Sequence, residues 1–189
     1  MTEQSILFLI NHFLVKLRRA TMNKELIEKT SSTKTTAIFS KDNKKRYLLK
    51  YEWDDSKPKA CIIMKKPSTS DEYITDQTTL LVRNNAARNN FGSISIVNLF
   101  CGLDKTRFET DRINSSILAD ECSKSDIIIV AFGRGIGFEE QKQSLLEGLA
   151  AYKEKLFTIE DSKGQPFSHP LSPQAREWQL VRLEKLTID

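Results

Sequence analysis

Three stretches bring polar side chains to the ends of apolar runs, where a folded chain can use them for chemistry. Lys65-Lys-Pro-Ser-Thr-Ser-Asp71 follows directly on Ala60-Cys-Ile-Ile-Met64, Asn98 lies inside Ile94 to Phe100, and His169 sits between Ser168 and Pro170. A carboxamide carries both donor and acceptor, so Asn98 suits the hydrogen-bonding edge of a base. It can equally bond neighbouring backbone, and both readings stand at this level. A histidine in a proline-bracketed loop can donate to a ligand oxygen that gains negative charge, or can be an ordinary surface residue. Ser68, Thr69 and Ser70 have no base beside them for a nucleophilic triad, which argues against acyl transfer. Gly133-Arg-Gly-Ile-Gly137 lacks the lysine-hydroxyl pair of a Walker loop and the full dinucleotide fingerprint. It reads as a strand-to-helix turn where backbone approaches a ligand, with Arg134 placed for a phosphate contact.

Positioning these residues on one rim requires a parallel sheet, because the carboxyl ends of its strands share an edge and ligands bind in the crevice beyond it. The hydrophobic pattern supplies such strands at Ala60–Met64, Ser93–Phe100, Asp126–Phe132 and Leu156–Ile159. Between them the spacing predicts a helix capped by Thr75 or Asp76, with Leu80, Ala87 and Phe91 on one face and Gly92 at its end. It predicts a second from Asp111 to Cys122 with Ile113, Ile117, Leu118 and Cys122 inward, and a third from Phe138 to Tyr152. Ala37–Phe39 and Tyr47–Trp53 read as a hairpin around the polar turn Ser40–Lys45, and Ala175–Leu186 as a final helix. The expected architecture is a three-layer α/β domain over residues 37–189, with a mainly parallel four-stranded core sheet and an N-terminal β-hairpin. Residues 1–36 form a separate N-terminal helix and linker in this reading.

With 189 residues, 39% hydrophobic and 29% charged, the chain is sized for one core and carries too many apolar residues for wholesale disorder. The net charge of +4 is compatible with a polyanionic partner without requiring one. Cys61, Cys101 and Cys122 lie far apart in apolar runs, which argues against a disulfide framework or zinc knuckle and for buried free thiols in a reducing, cytoplasmic setting. No metal and no cofactor are expected. Ile6–Ile10 with Phe13–Val15 is shorter than the roughly 20 residues of a membrane span and is broken by Asn11 and His12. It reads as an amphipathic helix suited to a protein partner, with Met22 a second candidate start.

Pro67-Ser-Thr-Ser-Asp71, Asp76-Gln-Thr78, Val97-Asn-Leu-Phe100, the run Ile127 to Gly133 and Gly164-Gln-Pro-Phe-Ser-His-Pro-Leu171 occur in that order. Together they resemble an uncharacterised, mostly bacterial and phage family catalogued as domain of unknown function 1643, over roughly Ala37 to Pro173. Asp71, Asp76, Thr78 and Gly133 belong to its motifs. That family is in turn similar, more distantly, to the uracil-DNA glycosylase superfamily. The resemblance implies a base-excising fold in which Asn98 reads the base, His169 acts as electrophile, and Pro67 and Ser68 shape the loop that holds water or phosphate.

The position before Pro67 is Lys66, where both patterns have Asn or an acid. A protonated lysine accepts no hydrogen bond, and neutralising it near pH 7 means lowering a pKa of about 10.4 by some three units, roughly 4 kcal/mol. Lys66 therefore occupies the catalytic position without the catalytic chemistry. Lys65, Lys66 and Ser70 read as phosphate contacts, or the two lysines as solvated charges. The resulting expectation is a protein that recognises a nucleobase or nucleic acid, with N-glycosidic cleavage in question. The alternatives are a non-catalytic interaction protein and an enzyme on free nucleotides or nucleosides.

Overall fold

Residues 59–64 alternate between two faces, each of which needs its own cover. A computed structural model of the chain describes residues 12–16 and 26–185. In β3 (Lys59–Met64), Ala60, Ile62 and Met64 join one apolar cluster while Cys61 and Ile63 join another. A strand buried on both faces demands a layer on each side. The first layer is α1 (Gln77–Arg88), which contributes Val82 and Ala86, and the second is α2 (Arg112–Lys124) and α3 (Glu139–Gly148), which contribute Cys122 and Leu146.

Among the described residues the sheet has seven strands in the order β1-β2-β4-β3-β5-β6-β7. These are β1 (Lys34–Phe39), β2 (Arg46–Glu52), β3, β4 (Ser93–Asn98), β5 (Ile127–Val130), β6 (Leu156–Glu160) and β7 (Gln179–Arg182). The pairs β4/β3, β3/β5 and β5/β6 are parallel, and β1/β2, β2/β4 and β6/β7 are antiparallel. The sheet is therefore mixed. The expected hairpin is present, and it extends the sheet through β2.

The expected C-terminal helix over Ala175–Leu186 is a correction. A short 3-10 turn at Pro173–Ala175 leads instead into β7, which pairs with β6 from Phe157↔Arg182 to Glu160↔Gln179. Without β7 the backbone donors and acceptors along that side of β6 would be unpaired, and ladder formation outweighs a weak local helical preference. The third helix also ends early, at Gly148, with a 3-10 segment Ala150–Lys155 completing the connection.

Helix α1 starts where expected, with Asp76 accepting from Thr79 N at 2.8 Å, but its buried side is Thr78, Thr79, Val82, Asn85 and Ala86. Leu80 is exposed, contrary to the expected stripe, and the helix closes at Asn89 before Gly92. Gly92 is needed for a different reason: a Cβ there would collide with the carbonyl of Asp54. Asp111, the expected first residue of the second helix, is the cap of α2 and accepts from Asn114 N at 2.9 Å. Ile113 is exposed and Ile117 and Leu118 are half-buried.

The chain divides into units 1–32 and 33–189. In the first, residues 12–16 are helical, and the rest of the expected N-terminal helix lies outside the described residues. No helix among the described residues is long and apolar enough to cross a membrane. Cys61, Cys101 and Cys122 are buried and free, with Cys61 and Cys122 sulfurs 3.8 Å apart.

Candidate functional site

The parallel strands deliver three segments to one edge of the sheet. Met64 pairs with Asn98 across β3 and β4, so the Lys65–Asp71 loop and the end of β4 leave the sheet side by side. On the other flank of β3, Ala131 N donates to Ile63 O at 2.8 Å, which brings Phe132 and Gly133 to the same edge. His169 arrives from the loop after β6. A Cβ on Gly133, whose φ is +82°, would sit 3.3 Å from His169 Cβ, so the imidazole is seated against this glycine. Asn98 and His169 thus stand at the ends of the two strands that flank β3.

Asn98 is 1% exposed, and its Nδ2 is buried without a hydrogen-bond partner. Its backbone carbonyl accepts from Asn114 Nδ2 at 3.0 Å, which fixes the strand end against α2. Bonding to neighbouring backbone therefore does not satisfy the Asn98 amide donors. His169 is half-buried, and burial pushes its pKa below the ordinary imidazole value. Its Nδ1 accepts from Leu171 N at 3.1 Å, which leaves the proton of the neutral ring on Nε2 as a donor.

The Lys65–Asp71 loop is held mostly by contacts to neighbouring segments. Lys66 Nζ donates to the carbonyls of Asp104 and Arg107, the latter at 2.9 Å, and lies 4.8 Å from the Phe108 ring centre. It ties this loop to the one after β4. Lys65 is turned to the aromatic cluster of Phe100, Phe108 and Phe138, 5.6 Å from Phe108 and 5.0 Å from Phe138. Ser70 is buried, donates to Thr79 Oγ1 at 2.8 Å and accepts from Asp76 N at 2.9 Å. Asp71 accepts from the N–H groups of Ile74 and Tyr73, which hold its carboxyl below the usual range. Burial acts to raise the Asp76 pKa, and the hydrogen bonds from Thr79, Ser68 and Ser70 outweigh it. Pro67 and Ser68 are half-buried and, with Thr69, Ser70 and Asp71, line a shallow cavity of about 330 Å³ that also includes Leu103 and Lys105.

Arg134 is taken up by Asp161 Oδ2 at 2.6 Å and Gln165 Oε1 at 3.0 Å. It joins the Gly133–Gly137 turn to the loop that carries His169. The guanidinium, followed by the N–H groups of Gln165 and Lys163, keeps the Asp161 carboxylate ionised.

Two residues at this edge escape sequence reasoning. Arg46 is 1% exposed, and its Nη1 donates to Ser70 O at 2.5 Å and Ser68 O at 3.4 Å, so a buried guanidinium supports the Pro67–Asp71 loop from beneath. Its place at the end of Lys44-Lys-Arg46 signals a solvated charge run. Lys142 is 2% exposed, donates to Gly135 O at 2.7 Å, and has its pKa lowered by burial, an effect that the charge of Glu139 opposes and that of Lys65 assists. The signal for Lys142 was its spacing: it precedes Leu146 by one helical turn and Leu149 by two, on the apolar stripe of α3. No cluster of metal-ligating side chains occurs among the described residues.

Residues 46–171 match the family model described as Protein of unknown function (DUF1643). The matched span begins at the buried Arg46 and ends just past His169. No curated protein and no solved structure matches the chain.

Proposed function

We propose that this chain, which belongs to the DUF1643 family, recognises a nucleobase carried by a nucleotide or nucleic acid at the carboxyl-end edge of β4, β3 and β5. The observation that carries the reading is the Asn98 amide, buried at a strand end with Nδ2 unpaired. A buried donor without an acceptor costs about 1–3 kcal/mol, and a base carbonyl oxygen that accepts from it recovers that cost. His169 supports the same reading, since its neutral ring offers Nε2–H to a second base oxygen. The flanking strands lie roughly 10 Å apart across β3, a gap of pyrimidine scale. Because Asn98 is 1% exposed, entry of a base requires the covering chain to shift.

Phe108, which is 41% exposed, adds a stacking face beside Lys65 and Lys66, the combination used for sequence-tolerant contact with single strands. The distant likeness to uracil-DNA glycosylases fits four parallel strands covered on both faces. Cleavage of the glycosidic bond would need an acceptor to orient water, and Lys66 donates to two carbonyls instead. Recognition is therefore the function supported best, and excision is the separate outcome to be tested. Phosphate contacts fall to Lys65, since Ser70 and Arg134 are engaged within the chain.

The test is binding of the purified chain to single- and double-stranded oligonucleotides carrying normal, uracil or modified bases, with alkali-revealed strand breaks as the readout of excision. The expected result is salt-sensitive binding that Asn98→Ala weakens by about tenfold or more, the equivalent of one lost buried hydrogen bond. Binding of free nucleosides or nucleotides alone would move the substrate from polymer to monomer. Absence of all such binding, or an Asn98→Ala protein that binds as well as the parent, would overturn the reading.

A further inference from the structure

A cavity of about 730 Å³ opens beyond the carboxyl ends of β5 and β6, lined by Phe132, Arg134, Lys142, Thr158, Phe167 and Arg182 among others. Lysine is almost never fully buried unless paired. Among the described residues no carboxylate lies within 4.0 Å of Lys142 Nζ. The ammonium has three donors, and the one hydrogen bond it makes is to Gly135 O at 2.7 Å, while the Phe132 ring centre lies 5.8 Å away. Glu139, one turn earlier on α3, has Oε1 engaged by Gly137 N at 2.6 Å. Two other cations of the wall are braced, Arg134 by Asp161 and Arg182 by Glu154 Oε2 at 3.0 Å, and a third, Lys185, is exposed. Lys142 is left as a buried charge with donors to spare.

We propose that this cavity binds a small organic phosphate monoester, with Lys142 as its anchoring cation. Phosphate is favoured over a monocarboxylate because Arg134, Arg182 and Lys185 line the cavity with Lys142 and outnumber the carboxylates of Glu139 and Glu184, so a dianion meets a net positive wall. The volume lies within the range of small-molecule sites, about 300–1,000 Å³, and exceeds what an inorganic ion needs. Phe132 and Phe167, stacked with ring centres 5.3 Å apart, give the organic part an apolar wall. The inference goes beyond base recognition and does not depend on it: the Asn98 amide is not part of this cavity.

The test measures thermal shift and calorimetric binding of the full chain with inorganic phosphate, ribose 5-phosphate and ribose, at constant ionic strength. Both phosphates are expected to raise Tm in a saturable way, ribose 5-phosphate more strongly, and ribose to do nothing. Lys142→Met should weaken ribose 5-phosphate binding by about tenfold or more. As removal of an unpaired buried charge, this substitution is expected to leave the fold intact. Should Lys142→Met not fold, the side-chain amine resonance of Lys142 in wild-type protein decides, since ribose 5-phosphate must shift it. No saturable phosphate effect, undiminished binding by Lys142→Met, or an unmoved amine resonance would each overturn the proposal. None of these probes carries a base, so failure here leaves base recognition standing, and the reverse also holds.

Discussion

Arg46 shows how a single buried charge can organise a loop at one edge of a sheet. Its guanidinium lies beneath the Pro67–Asp71 loop and reaches the carbonyls of Ser70 and Ser68, and burial lowers its pKa to about 10. It remains charged at neutral pH, so the loop carbonyls compensate a charge and not merely a donor. A lysine would offer a point charge where the planar fork spans two carbonyls. Arg46→Met is expected to cost about 1–3 kcal/mol in urea unfolding and to speed amide exchange across residues 67–71. Unchanged exchange would mean that Asp76, Ser70 and Thr79 hold the loop alone. Nothing local in Lys44-Lys-Arg46 distinguishes the buried arginine from the two lysines before it. By contrast, Asn98 and His169 were readable because an amide inside an apolar run, and a histidine between Ser168 and Pro170, are conspicuous wherever they point.

Helix starts are where element and sheet are coupled most directly. Asp111 caps α2 with Oδ1 on Asn114 N, while Oδ2 accepts from Lys45 Nζ at 2.8 Å and Tyr47 Oη at 3.1 Å. One carboxylate thus joins α2 to the β1–β2 hairpin. The hydrogen bond from Lys45 is the largest influence holding the Asp111 pKa below its ordinary 3.8. A carboxyl whose folded pKa is depressed stabilises the fold above its unfolded pKa, and that contribution fades as pH falls through the folded value. Asp111→Ala is expected to cost about 0.5–2 kcal/mol at pH 7, the usual loss of an N-cap. Asp111→Asn should show a shallower decline in stability than the parent below about pH 4. Denaturant melts at pH 7 and across the acid range check both, and parallel acid profiles would exclude the coupling. Asp76 was legible as one of two candidate caps, and Asp111 as the start of its helix. The buried faces of their helices were less so, because polar Thr79, Asn85 and Asn114 occupy inward positions that hydrophobic spacing assigns to Leu80 and Ile113.

For the molecule as a whole, the two hairpin-like additions at the sheet margins complete what four parallel strands leave unfinished. β2 covers β4 on one side and β7 covers β6 on the other, with Trp178 and Leu183 buried at the two ends of β7. Removing residues 179–189 would return β6 to an edge with unpaired backbone and uncover apolar side chains. The truncated chain is expected to melt at lower temperature and to self-associate in size-exclusion chromatography. An unchanged Tm and elution volume would show that β7 is dispensable.

The order of strands and helices from Ala60 to Ile159, the placing of Asn98 and His169 at one edge of the sheet, and the absence of an acceptor at Lys66 all followed from the chain itself. Their causes are local: alternation at two residues, helical recurrence at three and four, capping at fixed offsets, and side-chain chemistry. The tertiary structure alone decided that β2 and β7 extend the sheet, that Arg46 is buried, and that Lys66 turns to the carbonyls of Asp104 and Arg107. Each of these depends on partners distant in sequence, such as Ser70 for Arg46 and β6 for β7. A backbone edge or an unpaired charge takes its place from what packs against it, and the neighbouring residues do not record that.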